Sequence, residues 1–161
     1  MEINNLKIRK AKEGDYSAAN NLYHVTYDMY HEKIPSFYKK QPSQTLPKGT
    51  YLNMIHGNES LVFVAEADKN VVGLLYAEIE KEEGDKWVYP RKRVRIEEIA
   101  VLPEFSRKGI GKRLLQEAEK WAKKKKISDL ILLTYAFNEG AIRFYETHGY
   151  EPYSIEMNKK I

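Results

Sequence analysis

The apolar residues of this chain recur with two different periods, and the changes from one to the other divide it into elements. "LKIR" at 6–9 alternates as a short strand does. Asp15 can then cap a helix running to about Tyr30, with Ala18, Ala19, Leu22, Val25 and Met29 on one helical stripe. The following "HEKIPSFYKKQPSQTLPKG" carries three prolines and reads as an ordered loop, with a second helix around 51–56. "SLVFVAEA" and "VVGLLYAEI" are two strands joined across "DKN", a hairpin signal. A charged loop, "EKEEGDKWVYPRK", leads into the strand "VRIEEIAV".

After Pro103 the period becomes helical. Ile110, Leu114, Leu115, Ala118, Trp121 and Ala122 form one stripe. "DLILLTY" is a continuous apolar run of the kind that forms a buried central strand. Asn138 can cap a last helix reaching about His148, Gly149 can stop it, and "YEPYSIEM" supplies a closing strand. This order predicts a mixed α/β sheet with helices on both faces. With 161 residues and no linker or repeat, the expectation is a single domain over 1–161.

Composition narrows the chemistry. There is no cysteine, which excludes disulfides, thiolate metal sites and a cysteine nucleophile. His24, His31, His56 and His148 show no metal-ligand spacing with Asp or Glu, so no metal is expected. No apolar run approaches the ~20 residues of a membrane span, and the first residues lack the apolar core of a secretory signal, so a cytoplasmic protein without membrane contact is expected. The 27 basic and 23 acidic residues leave a net charge of +4. The cations are scattered among acids, and "KKKK" at 123–126 ends a helix, where it complements the dipole; nucleic acid is not an expected partner.

One segment calls for a ligand. In "EFSRKGIGKRLLQEAEKW" a turn with Gly109 and Gly111 opens a helix among Arg107, Lys108 and Lys112. Unpaired N–H groups and the positive helix end converge there, and glycine leaves room for a phosphate to approach the backbone. An ordinary glycine-containing helix entry with surface cations would look the same. A Walker A loop would need glycine at 106 and Ser/Thr at 113, where Ser106 and Arg113 stand; a dinucleotide fingerprint would need glycine at 114, which is Leu114.

The neighbouring segments decide between these. "IEEIAVLPEFSRKGIGKRLLQEAEKWA" resembles the coenzyme-A-binding motif of the GNAT superfamily of N-acetyltransferases, Arg/Gln-x-x-Gly-x-Gly/Ala between a central strand and a helix. "AFNEGAIRFYETHGY" is similar to the superfamily's second motif, and the hairpin "LVFVAEADKNVVGLLYAEI" matches its second and third strands. Ser106 stands where the superfamily carries Arg or Gln, with Arg107 one place later. The backbone cradle does not depend on that side chain; a contact made from it does.

The resemblance implies the acyl-CoA N-acyltransferase fold, a mostly antiparallel twisted sheet splayed at the cofactor site. It implies acetyl-CoA as cosubstrate and direct attack by a primary amine, from a small, polyamine-like molecule or alternatively a protein or peptide. A non-catalytic acetyl-CoA-binding module is the other reading. Pyrophosphate would lie on Ser106, Arg107, Lys108, Gly109, Ile110, Gly111 and Lys112. The pantetheine arm would lie along Ile99, Ala100 and Val101, with Asn138 able to contact it. An N–H near Ile99, Ala100 and Val101 could also stabilise a tetrahedral oxyanion. An alkylammonium of pKa about 10.4 must lose a proton before attack, and Glu97 or Glu98 could take it. Strand alternation forbids both facing one cleft unless a bulge intervenes. Glu97 occupies the superfamily's relay position and is favoured; charge pairing with "RKRVR" is the alternative role for both. Tyr145, after Phe144, takes the general-acid place, and Phe144 reads as core. Glu78, Glu80, Glu82, Glu83 and Asp85 would suit a polycationic acceptor. The superfamily's habits make a homodimer an expectation.

Overall fold

The computed structural model describes residues 5–159 and 161. Five strands form one sheet in the order β1 (Lys7–Lys10), β2 (Ser60–Ala67), β3 (Asn70–Glu82), β4 (Arg91–Val101) and β5 (Leu130–Leu132). The first four are mutually antiparallel, and β5 runs parallel to β4. Helices α1 (Tyr16–Lys33) and α2 (Lys48–His56) cover one face; α3 (Ile110–Lys124) and α4 (Glu139–Glu146) cover the other.

Each face has its own core. Ile110, Leu114, Leu115, Ala118 and Ala122 of α3 are buried against Leu75, Ala77, Val94 and Ile96, which is the predicted stripe. Each such leucine or isoleucine stabilises the fold by about 1.5–3 kcal/mol. On the opposite face Ala19 and Leu22 of α1 and Tyr51 and Met54 of α2 bury Val62, Val64, Leu74 and Ala100. The β2–β3 hairpin turns on Asp68 and Lys69, both left-handed at φ 48° and 68°, the pair of positive angles that a two-residue turn needs to match strand twist.

Three expectations need correction. Asp15 precedes α1, but its side chain does not cap the helix. The carboxylate instead accepts two bonds from the Arg9 guanidinium, at 2.7 and 2.9 Å, and one from the Lys12 amide at 2.9 Å. "DLILLTY" is not a buried central strand: only Leu130–Leu132 pair, on the outer side of β4, and Leu133 is exposed. A strand with one neighbour has one face and one edge to hide, so apolar content alone did not specify its place. "YEPYSIEM" forms no strand; residues 151–159 carry no regular structure, and Tyr153, Ile155 and Met157 are exposed. Their alternation is strand-like, but no described strand pairs with them.

Asp15 is nearly fully buried, and its neutralisation depends on Arg9 from another element of the fold. Burial pushes its pKa up, while Arg9 and the Lys12 amide outweigh that and hold it below the ordinary value. Arg9→Met is expected to leave this charge buried without its partner and to cost about 3 kcal/mol. Urea denaturation at pH 7 measures it; a loss under about 0.5 kcal/mol would mean that water reaches Asp15 freely.

Candidate active site

The site is organised by an irregularity in β4. Register runs Val94↔Ile79, Arg95↔Glu78 and Ile96↔Ala77, then resumes at Glu98↔Tyr76, so Glu97 has no partner on β3. This is a β-bulge, one extra residue on one strand of the pair. It shifts the parity of β4. Val94 and Ile96 face α3 before it, and Ile99 and Val101 face α3 after it, whereas Glu98 and Ala100 pair with Tyr76 and Leu74 on the α1 side. Glu97 lies within 3.6 Å of Arg95 and within electrostatic reach of Glu78 and Glu80, all on that same side. The two successive glutamates therefore address one face, as only a bulge allows.

Their environments differ. Glu98 is 8% exposed, pairs with no cation among the described residues, and is pushed up to about 7 by burial, with the Ile99 amide opposing and Glu97 reinforcing. Glu97 is 37% exposed at its side chain and is raised by burial and by Glu78. The acids further along β3 are already engaged. Glu80 is bridged by Arg93 and Arg95, and Glu82 by Arg91, in a cross-strand ladder. Glu78 accepts the Tyr76 hydroxyl at 2.6 Å. Charge pairing with "RKRVR" thus falls mainly to Glu80 and Glu82, leaving Glu98 outside it and Glu97 at its margin.

Beyond Ile96 the sheet opens. β5 ends at Leu132, opposite Ile96, so among the described residues no strand lies beside the outer edge of β4 from Glu97 through Val101. Through this gap the two faces communicate. Tyr145 packs with the α3-side core, yet Glu98 and Tyr30, both on the α1 side, act on its hydroxyl electrostatically. Burial first, and Glu98 second, raise the Tyr145 pKa above that of a free phenol, which keeps it protonated. No hydrogen bond engages this hydroxyl among the described residues. Asn138 caps α4, accepting from the Ala141 amide at 3.2 Å. Gly149, at φ 84°, ends the turn after α4.

At the mouth of the gap lies the glycine turn. Ser106 is extended, Arg107 and Gly109 are both left-handed at φ 58° and 76°, and α3 starts at Ile110. Residues alternating with left-handed ones turn successive amides toward one concavity, which suits an anion. The bond from the Arg113 amide to Gly109 O, 3.2 Å, closes the first helical turn, so the amides of Ile110, Gly111 and Lys112 precede any intrahelical partner. Ser106, Arg107, Gly109 and Lys112 are exposed, and Lys108 Nζ lies 5.3 Å from the Phe105 ring centroid. The two glycines serve different needs. Space beside Gly109 is open, whereas a Cβ at Gly111 would lie 3.1 Å from Phe144 Cζ. Gly111 thus admits α4 against α3, and Gly109 supplies the left-handed angle and an unobstructed approach.

A wall of tyrosines faces the glutamates, and the sequence reading missed it because its members are dispersed. Tyr23, Tyr27 and Tyr30 recur at helical spacing on α1. Tyr38 comes from the proline loop, and Tyr135 and Phe137 from the segment after β5. The loop is tied down by Asn20, which bonds Ser43 O and the Leu46 amide, and by His31, whose Nδ1 lies 2.7 Å from Tyr38 O. Among the described residues no cluster of three acids or histidines could hold a metal, and no helix is long and apolar enough to cross a membrane.

This fold, with a β4 edge freed beside a helix-opening glycine turn, is that of an acetyltransferase class. The family model "Acetyltransferase (GNAT) family" matches residues 26–150, and the chain belongs to that family. Over 94% of its length it is 28% identical to an uncharacterised N-acetyltransferase of Methanocaldococcus jannaschii, of which it spans 65%. It is 40% identical over 55 residues to streptothricin acetyltransferase A of Bacillus subtilis, 32% of that protein. The chain thus spans less than two thirds of either relative. Among solved structures, a mutant Bacillus halodurans protein superposes with TM-score 0.92 at 19% identity, over 96% of this chain and 99% of that one. An aminoglycoside N-acetyltransferase in complex with CoA superposes with TM-score 0.70 at 18% identity, over 97% and 94%. The splayed α/β sheet expected from the motifs is therefore present.

The raised carboxyl at 98 has a stability consequence. Its folded pKa lies above the ordinary 4.5, so the folded state holds the proton more tightly, and stability falls as pH rises from about 4.5 through 7. Glu98→Gln is expected to be more stable than the parent at pH 8, by as much as about 3 kcal/mol, and equal to it below pH 4. Thermal melts across that range report it; a gap that does not change with pH would contradict the burial. Gly109→Ala should cost about 1–2 kcal/mol for its left-handed angle in the same assay.

Proposed function

We propose that this protein is a single-domain, acetyl-CoA-dependent N-acetyltransferase acting on the primary amine of a small molecule, by direct attack in a ternary complex. The observation that carries the reading is the pairing of a buried, unpaired Glu98 with a protonated Tyr145 across the β4–β5 gap.

The residues fit the cosubstrate. The left-handed pair Arg107 and Gly109, the free first amides of α3 and the exposed cations Arg107 and Lys112 suit a pyrophosphate. Ser106 contributes backbone to this turn rather than a long cationic side chain. The unpaired outer edge at Ile99, Ala100 and Val101 suits the amides of a pantetheine arm. When bound, acetyl-CoA supplies the activated acetyl group.

The chain's own groups handle the protons. Glu98, with a pKa of about 7, is matched to accepting a proton from an amine near neutral pH. Glu97, more exposed and beside Arg95, is suited to attracting the ammonium or passing its proton to water. The order of preference between the two glutamates is thus reversed from that of the motif alone. The reason is physical: the bulge buries the second one. Tyr145 holds a proton at its hydroxyl on the opposite side and can give it to a departing thiolate, whose ordinary pKa of about 8.5 is below that of a phenol. A protein or peptide acceptor is the second reading, favoured by the exposed Trp87 and Tyr89 on the loop between β3 and β4.

The test is kinetic. Uptake of acetyl-CoA by calorimetry and thiol release with an amine panel come first. Activity should rise with pH through about 7 as Glu98 ionises; Glu98→Gln is expected to remove that limb and lower kcat by at least about 100-fold. Tyr145→Phe should reduce kcat far more than acetyl-CoA affinity; equal losses in both would remove its acid role.

A further inference from the structure

The tyrosine wall has no part in the proton transfers above, and its position within electrostatic reach of Glu98 points to a different role. Tyr27 and Tyr30 on α1, Tyr38 from the loop and Tyr135 from beyond the gap form a contiguous set, extended by Tyr23 stacked on Tyr27 and Phe137 stacked on Tyr135. Ring centroids are 5.7 Å apart for Tyr27 and Tyr30, 5.9 Å for Tyr27 and Tyr38, 5.1 Å for Tyr30 and Tyr38, and 5.5 Å for Tyr30 and Tyr135. Most of these pairs meet edge to face, and all four side chains are half-buried, so the set presents ring surface in several orientations. Tyr38 and Tyr135 are joined hydroxyl to hydroxyl at 2.6 Å, which locks two separate loops into the set.

The second, independent observation is Glu98. It is a carboxylate more than nine-tenths buried, with no cationic partner among the described residues, and its charge acts on both Tyr27 and Tyr30. Aromatic faces and an unpaired buried acid share one complement, a cation that gives up its water cheaply. The alternative, a heavily hydroxylated polycation, would require many free acceptors. Two of the acids that could provide them, Glu80 and Glu82, are already bridged by Arg91, Arg93 and Arg95. Of the five acids expected to attract a polycation, Glu80 and Glu82 are neutralised, Glu78 accepts the Tyr76 hydroxyl and Asp85 accepts the Trp87 and Val88 amides.

We propose that the acceptor site lies between Glu97, Glu98 and the faces of Tyr27, Tyr30, Tyr38 and Tyr135, and that it selects an alkyl-substituted ammonium ion rather than a polyhydroxylated polyamine. This deepens the acetyltransferase reading and rests on it for the fate of the amine, but not for the recognition of the cation. The site reads positive charge spread over carbon, so it also takes ammonium ions that cannot be acetylated.

The experiment uses choline and its uncharged isostere, the alcohol in which carbon replaces the nitrogen. Both are titrated into the full chain by calorimetry without acetyl-CoA, with acetyl-CoA uptake measured separately. Choline should bind at least roughly 10-fold tighter than the isostere. Tyr30→Leu should lose about that factor and Tyr30→Phe, which keeps the ring face, should retain it; circular dichroism checks that both variants are folded. Equal binding of the two probes, no binding of either at millimolar concentration, or equal loss in the Leu and Phe variants would overturn the proposal. If acetyl-CoA binds while choline is not selected, the tyrosine site fails and the acetyltransferase reading stands. Selection of choline without uptake of acetyl-CoA would support the site and remove the catalytic reading.

Discussion

One unpaired residue in β4 organises the functional half of this molecule. With regular alternation, Glu97 and Glu98 would face opposite sides of the sheet. The bulge lets Val94 and Ile96 fill the α3-side core while Glu98 and Ala100 turn toward α1. The same residue count that interrupts the ladder therefore buries a carboxylate, and burial without a cation lifts its pKa to about 7. A buried unpaired acid works against stability; the two separate cores, on α3 and on α1 with α2, carry that cost.

The second constraint is where the sheet stops. β5 is three residues long and ends level with the bulge, so β4 loses its outer neighbour at the point where Glu97 leaves the ladder. This places Tyr145, based on the α3 side, within reach of Glu98 on the α1 side. The glycine turn opens α3 beside the same edge, with Gly111 letting Phe144 press α4 against α3 and Gly109 presenting bare backbone. The glycine turn, the open edge, Glu98 and Tyr145 are thus positioned by two local features of β4 and β5.

The tyrosine face is built differently, from loops pinned to α1 through Asn20, His24 and His31. These polar bonds hold the proline-containing segment in place, and through it Tyr38. The aromatic surface so held lies on the same side of the sheet as Glu98, whose charge acts on Tyr27 and Tyr30. The salt-bridge ladder of Arg91, Arg93 and Arg95 with Glu80 and Glu82 closes off the far end of the same face electrostatically.

The helical stripe from Ile110 to Ala122, the hairpin at Asp68 and Lys69, the cap at Asn138 and the glycine turn were all legible in the chain, because each depends on neighbours within a few residues. What could not be read there required knowing which strand lies beside which. "DLILLTY" and "YEPYSIEM" have the composition of strands, but pairing is a property of two segments, and one gained a single neighbour while the other gained none. Asp15 looked like a cap until Arg9, held on β1, took its carboxylate. The same holds for the glutamates. Their presence on one strand was written in "IEEIAV", but the register against β3 alone decided that the second of them is buried, since a bulge exists only relative to its partner. Local preference therefore gave the elements and the candidate chemistry; cross-strand register and the meeting of distant tyrosines decided which group is buried, which is paired and which is left without a cation.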